Sequence, residues 1–405
     1  MSNDDRVLNA RWIIPISSEP IHGGWIRTNG YRIVEIGRGR IPSAENLGDV
    51  AILPQLVNSH THLEFSDCHC PIGKPGMPLA RWIGEVVSTR ANAAESSRDR
   101  AIESGLEELK LAGTCLAAEI ATPPSNNDSS HKSRRYPESS AGHMSLVTFA
   151  EVLGLSDERA DERFEAAMQH CSAYQSAGIS PHAPYSTSWK TIGRSVDFLR
   201  DSVRPLAMHV AESPDERELL FSGSGPFVSA LKSIGAWRDG LFPWPDDGFE
   251  GLIERLSMAP RALLIHGNDL NEREMEQLSK YPHMTPVYCP RTHAYFDYAP
   301  HPVDRMLSLG IRVALGTDSR ASNPDLHLWR EVQHLLNKRQ DLAPHEVLRM
   351  ATQNGALALG RSDLGHLSVG AQSHLGFIRT TATDLDGLFE DCSNASFHAL
   401  PHQTG

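Results

Sequence analysis

Leu53-Pro54-Gln55-Leu56-Val57-Asn58-Ser59-His60-Thr61-His62-Leu63-Glu64 is the stretch on which the fold turns. The apolar run from Ala51 through Val57 reads as a short buried strand, and it leads into two histidines spaced i, i+2. Alternate side chains of an extended chain share a face, so His60 and His62 project together. Two imidazoles at a strand's end can chelate one divalent metal. A bare His-X-His pair is also compatible with two ordinary polar residues. It acquires meaning only if later strands end in further ligands.

From residue 51 onward the chain repeats one rhythm of apolar strand, polar tip and helix. The expected strands are 51–57, 114–120, 145–150, 178–182, 206–210, 262–266, 284–288 and 311–315. Helix-like stretches lie between most of them, at 99–111, 156–176, 188–200, 214–221, 271–281, 302–309 and 326–338. Eight strands alternating with helices predict an α/β fold, a parallel (β/α)8 TIM barrel. An open doubly wound sheet is the alternative, but no Gly-X-Gly-X-X-Gly turn or phosphate loop follows the first strand. Two connections are long. Residues 121–143, rich in Pro, Ser, Asn and Arg, read as a mobile excursion, and 222–261 reads as a loop shaping a pocket on the catalytic face.

Residues 7–50 differ. Trp12-Ile13-Ile14-Pro15-Ile16, Gly24-Trp25-Ile26-Arg27 and Tyr31-Arg32-Ile33-Val34-Glu35-Ile36 are short β-type runs, and Asn29-Gly30 is a hairpin signal. So small an antiparallel unit needs a partner. Gly365-His366-Leu367-Ser368-Val369-Gly370 and His374-Leu375-Gly376-Phe377-Ile378 can supply it. The expected organisation is a small β-sandwich domain from 1–50 and 361–405, with the barrel over 51–360 inserted between. The last residues, 383–405, carry no clear pattern.

Bulk properties narrow the function. A net charge of −12 over 405 residues argues against nucleic acid, whose partners are basic. Met1-Ser2-Asn3-Asp4-Asp5-Arg6 is not the start of a signal peptide, and no apolar run nears the ~20 residues that span a bilayer. A cytoplasmic, soluble protein without membrane partners is expected. Six scattered cysteines do not make a disulfide framework, and Cys68-His69-Cys70 lacks the second pair of a structural zinc site.

Later strands do end in ligand types. Ser180-Pro181-His182-Ala183-Pro184-Tyr185-Ser186 follows the fourth, Met208-His209-Val210-Ala211-Glu212-Ser213 the fifth, Leu264-Ile265-His266-Gly267-Asn268 the sixth and Ala314-Leu315-Gly316-Thr317-Asp318-Ser319 the eighth. His60, His62, His209 and Asp318 thus project towards one face. Zinc takes imidazole nitrogen and carboxylate oxygen, and a catalytic site leaves a position for water.

This series resembles the amidohydrolase superfamily, in its mononuclear deaminase and chlorohydrolase-like branch, over nearly the whole chain. Two elements depart from the pattern: Gln55 stands where Gly often follows Leu-Pro, and Gly370-Ala371-Gln372-Ser373-His374-Leu375 replaces an Ala-Asp-Leu element. Binuclear members carry a carboxylated Lys after strand four, where this chain has His182, so the resemblance implies one divalent metal, zinc or else iron. It implies His60, His62, His209 and Asp318 as ligands, with Asp318 accepting a proton from the attacking water. His266 orients that water, and Glu212, a neutral carboxylic acid, protonates a ring nitrogen. As a plain alternative, Glu212 is a helix-start acid favoured by the dipole. Glu64, which continues the alternation of His60 and His62, His182 and Arg291 are the candidate substrate contacts, and Trp82-Ile83 could be a lid or core.

His62-Leu63-Glu64-Phe65-Ser66, Pro181-His182-Ala183-Pro184-Tyr185-Ser186 and Cys289-Pro290-Arg291 are together similar to aminodeoxyfutalosine deaminases, which hydrolyse the 6-amino group of an adenine nucleoside derivative. The resemblance therefore implies an aminohydrolase with a small-molecule substrate, and a homodimer that no residue pattern shows. Hydrolysis of another bond on the same scaffold, a C–Cl bond or a cyclic amide, stays open. A non-catalytic assembly protein would be expected to have lost ligands, and this sequence retains them.

Overall fold

The computed structural model describes residues 5–91, 95–123, 136, 144–244 and 248–401. Most of the excursion expected at 121–143 therefore lies outside the described residues. The strands are β1 (Asp5–Ile13), β2 (Ile21–Asn29), β3 (Arg32–Arg38), β4 (Glu45–Asn46), β5 (Val50–Pro54), β6 (Leu56–Thr61), β7 (Thr114–Ala121), β8 (Ser145–Val152), β9 (Ala177–Pro181), β10 (Leu206–Val210), β11 (Ala262–His266), β12 (Met284–Tyr288), β13 (Ala314–Leu315), β14 (Leu375–Arg379) and β15 (Phe397–Ala399). They form two sheets. Eight consecutive strands, β6 to β13, pair in parallel with their sequence neighbours. A parallel bridge between Thr61 and Asp318 joins the last edge to the first, which makes the sheet a barrel. The second sheet is mixed and seven-stranded, in the order β15-β14-β5-β1-β2-β3 with β4 on β1, and draws on both ends of the chain.

The expected strand 51–57 is in fact two. Val50–Pro54 runs antiparallel to β14 and parallel to β1 in the small sheet, and Leu56–Thr61 opens the barrel. An unbroken apolar run cannot reveal this, because both halves are buried on both faces and neither alternates. Gln55 is the hinge: its N–H donates to the His374 carbonyl at 2.9 Å and its side-chain amide to the Leu375 carbonyl at 3.1 Å. Gln55 thus ties the barrel's first strand to the C-terminal part of the small sheet.

The tail beyond 383 also has structure that the sequence reading missed. Asp384 caps a helix at Leu385–Asn394 by accepting the Gly387 N–H at 2.9 Å, and Leu388 and Cys392 are buried on its inner face. Strand β15 follows, and Phe397 packs on Trp329 of the barrel with ring centroids 5.2 Å apart. Among the described residues, no helix is long and apolar enough to cross a membrane.

The strands of a parallel barrel all point the same way, so their C-terminal ends and following loops gather on one face. His60, Pro181, Val210, His266 and Leu315 stand at or beside those ends. Gly316 is required here by space: a Cβ on it would lie 2.8 Å from the His60 Cβ and 3.0 Å from the His60 nitrogen. That close approach lets Thr317 and Asp318 donate their N–H groups to the His60 carbonyl at 3.2 and 3.0 Å.

Candidate active site

Three of the predicted site residues are held in strained backbone or follow a residue that is. His266 and Asp318 have φ of +73° and +58°, and Ala211, just before Glu212, has +51°. The left-handed region costs a non-glycine residue on the order of 1 kcal/mol or more and persists only where its surroundings impose it. The imposing contacts are on hand. The Glu216 carboxyl accepts the N–H groups of Ala211 and Glu212 at 3.2 and 2.8 Å, and Asn268 donates to the Glu212 carbonyl at 2.9 Å. His301 faces the His266 carbonyl at 2.9 Å.

The structure brings His60, His62, His209 and Asp318 together. His209 Nδ1 lies 2.8 Å from the His182 carbonyl, so it carries the proton and donates, which leaves the Nε2 lone pair aimed inward. His209 Nε2 stands 3.2 Å from His62 Nε2. Asp318 accepts the Ser322 hydroxyl on Oδ2 at 2.7 Å, and its Oδ1 lies 3.4 Å from His60 Nε2 and 3.7 Å from His62 Nε2. Among the described residues, only the three histidines form a cluster with metal-binding spacing, their ligand atoms within 4.8 Å of one another. Cys68 and Cys70 are free thiols outside it.

This donor set fits a cation. Both ring nitrogens of His60 are buried without a hydrogen-bond partner among the described residues, a costly arrangement unless something else satisfies the lone pair. Burial pushes the imidazoles of His60, His62 and His266 well below the usual histidine range, and with help from His182 it pushes His209 down to about 4. Neutral imidazole is the form that ligates metal.

Glu212 and His266 complete the group. Glu212 is 5% exposed and its Oε1 lies 3.4 Å from His266 Nε2. Burial, then Asp318, then Glu216 push the Glu212 carboxyl well above its ordinary value, which favours a neutral acid able to donate. A chamber opens over these residues, with Phe65, Trp82, Ile83 and Val86 as its apolar wall. Trp82, Ile83 and Val86 come from the helix Leu79–Ala91, so the Trp82-Ile83 run sits at the pocket itself.

Of the three candidate substrate contacts, the structure brings only His182 into the chamber lining. Glu64 instead accepts the Thr122 hydroxyl at 3.1 Å and pairs with Arg98 at 3.3 Å. Arg291 turns into the protein, where its Nε donates to Glu331 at 2.7 Å and its Nη2 to Asp325 at 2.7 Å. A guanidinium with its fork filled by two carboxylates has little left for an anionic ligand. Glu331 is fully buried, so Arg291→Met strands a charge. We expect a loss of about 3–5 kcal/mol of stability, read as a lower denaturant midpoint. A loss below about 1 kcal/mol would mean the pair is not structural.

Two acids escaped the sequence reading. Glu119, fully buried at the end of β7, accepts the Thr61 hydroxyl at 2.8 Å and the Leu63 N–H at 3.0 Å, and so grips the turn that carries His60 and His62. Glu151, at the end of β8, lines the chamber. The signal was a lone carboxylate inside a mostly apolar strand, in Ala117-Ala118-Glu119-Ile120 and Phe149-Ala150-Glu151-Val152.

Residues 51–394 match the family model described as the amidohydrolase family. An aminodeoxyfutalosine deaminase from Deinococcus radiodurans is 27% identical over 339 residues, which cover 80% of this chain and 77% of that protein. A 5-methylthioadenosine/S-adenosylhomocysteine deaminase from Nitratidesulfovibrio vulgaris is 24% identical and covers 98% of this chain and 86% of its own. The crystal structure of Helicobacter pylori aminofutalosine deaminase superposes with a TM-score of 0.79, at 19% identity and over 97% of both chains, a likeness of fold.

Proposed function

The chain belongs to the amidohydrolase family, and on that premise we propose that this C–N hydrolase is a metal-dependent deaminase. It replaces the exocyclic amino group of an aromatic heterocycle with water and releases ammonia, and its substrate is an adenine-nucleoside derivative of the aminodeoxyfutalosine kind. The observation that carries the reading is the meeting of a neutral-acid Glu212 with His266 beside a three-histidine cluster and Asp318. The curated relatives named for deamination of adenosine derivatives support the substrate class.

His60, His62, His209 and Asp318 would hold one divalent ion, zinc by its taste for imidazole and carboxylate, with iron also suited to the set. When bound, such an ion supplies the charge that makes water a nucleophile near neutral pH. The chain's residues do the rest. Asp318 takes the proton of the attacking water on the oxygen that faces His60 and His62. His266 holds the water in line and stabilises the charge that develops on its oxygen during attack. Glu212 gives its proton to the adjacent ring nitrogen as the water oxygen bonds to the carbon. The C–N bond to the amino group then breaks as the proton held by Asp318 passes to the departing nitrogen, which leaves as ammonia, and Glu212 recovers a proton from the new hydroxyl as it becomes a carbonyl. The apolar wall of Phe65, Trp82 and Ile83 packs the flat ring and excludes other water.

Ammonia release from a panel of aminopurine nucleosides, pterins and triazines, run beside metal analysis, tests this. Ammonia with about one ion per chain is the expected outcome. Metal without ammonia from any of them would overturn the deaminase reading in favour of another leaving group, chloride from a chlorotriazine or a ring-opened acid from a cyclic amide.

A further inference from the structure

Glu151 is 3% exposed, it lines the catalytic chamber, and its Oε2 has no hydrogen-bond partner among the described residues. Its Oε1 faces His182 Nε2 across 3.9 Å, too far for a direct hydrogen bond, so a hydroxyl seated beside the pair can reach both. Both residues also line a second, larger cavity of about 370 Å³ that opens from the chamber, walled by Leu153, Leu155, Phe227 and Leu231. Glu151 and His182 thus form a polar neck between the ring site and an apolar groove. A buried carboxyl oxygen without a partner is unfavourable unless a ligand satisfies it.

We propose that Glu151, with His182, binds the sugar hydroxyls of a nucleoside substrate and so selects nucleosides over bare heterocycles. This rests on the deaminase reading. The chemistry of the neck chooses the group. A hydroxyl both donates and accepts, so it can donate to Glu151 and bond His182 in either tautomer. An anion would be repelled by the carboxyl, and an aliphatic chain would leave it unsatisfied. The order of the sites agrees: base in the chamber, hydroxyls at the neck, and the remainder of the nucleoside towards the groove.

The test compares kcat/KM for an adenine nucleoside and its 2′,3′-dideoxy counterpart in the wild type, Glu151→Leu and Glu151→Gln, with metal content measured in each. The wild type is expected to prefer the hydroxylated substrate by at least about 100-fold, since a site built to bond hydroxyls leaves its own groups unpaired with the analogue. Glu151→Leu loses most of that preference by falling much further on the hydroxylated substrate than on its dideoxy counterpart, Glu151→Gln loses less, and metal content holds. A Leu variant that falls equally on both substrates overturns the proposal. So does a wild type that treats the two alike, a result that needs no folded variant. Ammonia from free heterocycles but not from nucleosides refutes the role of Glu151 and leaves the deaminase standing; no ammonia from any compound removes both.

Discussion

His209→Ala is expected to lose both the metal and the reaction. His209 offers Nε2 to the cluster from a ring whose orientation is set beforehand by its Nδ1–H bond to the His182 carbonyl. Removing only a group that orients a metal ligand commonly costs about 10–100-fold in affinity, so removing the ligand itself should cost more than about 100-fold. Without the ion, water keeps its own pKa of about 15.7 rather than one near 7, and no residue here is a strong enough base to compensate. Metal content after dialysis and ammonia release are the two readouts. Full activity from a metal-free variant would dismantle the site as assigned.

The same imidazoles predict how the metal-depleted protein responds to pH. An unfolded histidine takes up a proton near pH 6.5, whereas burial holds the folded His209 down to about 4, with His60 and His62 also lowered. At these histidines the unfolded state therefore binds more protons in that window, and their own contribution to stability rises with pH across it. The raised carboxyls of Glu212 and Glu216 impose an opposing slope, so the histidine contribution is read as the difference in denaturant midpoint between metal-depleted wild type and His209→Ala. That difference should be constant above about pH 7 and shift in favour of the variant from about 6.5 towards 4.

That the candidate ligands would meet was legible in the sequence, because a parallel barrel turns the ends of its strands into one surface, and His or Asp at those ends stands out against apolar runs. Direction was much less so. Arg291 and His182 both follow strands, yet one enters the chamber lining and the other is captured by Asp325 and Glu331, acids that lie more than thirty residues further on. Nothing local to Cys289-Pro290-Arg291 records that capture. The split at Gln55 was hidden for a related reason: the strands on either side belong to different sheets but are equally apolar, and only their distant partners tell them apart. The helix Leu385–Asn394 was open to a closer reading, since Asp384 is a good cap and Leu385, Leu388, Phe389 and Cys392 recur at helical spacing.

Glu212→Gln separates the two readings that the sequence left for this residue. Glutamine keeps the shape and can still donate a hydrogen bond, but it has no proton to transfer. If Glu212 is the acid, kcat falls by about 10²–10⁴-fold, the contribution usual for a placed proton donor. Metal content should be unchanged, because Glu212 is not among the proposed ligands, and KM should move little. The pH profile adds a second mark. A raised pKa keeps the acid protonated, so wild-type activity is lost as pH rises through that value, and this falling limb should vanish from whatever activity the variant retains. If Glu212 is only a helix-start charge, the cost is instead about 0.3–1 kcal/mol of stability, with turnover intact. Position favours the acid: a dipole partner belongs in solvent at the first turn, whereas this carboxyl is buried against His266 and raised by Asp318, at a cost that structure alone does not repay. A variant with near-wild-type kcat and a slightly lower melting temperature would decide for the helix charge, and the proton donor would have to be sought elsewhere in the chamber.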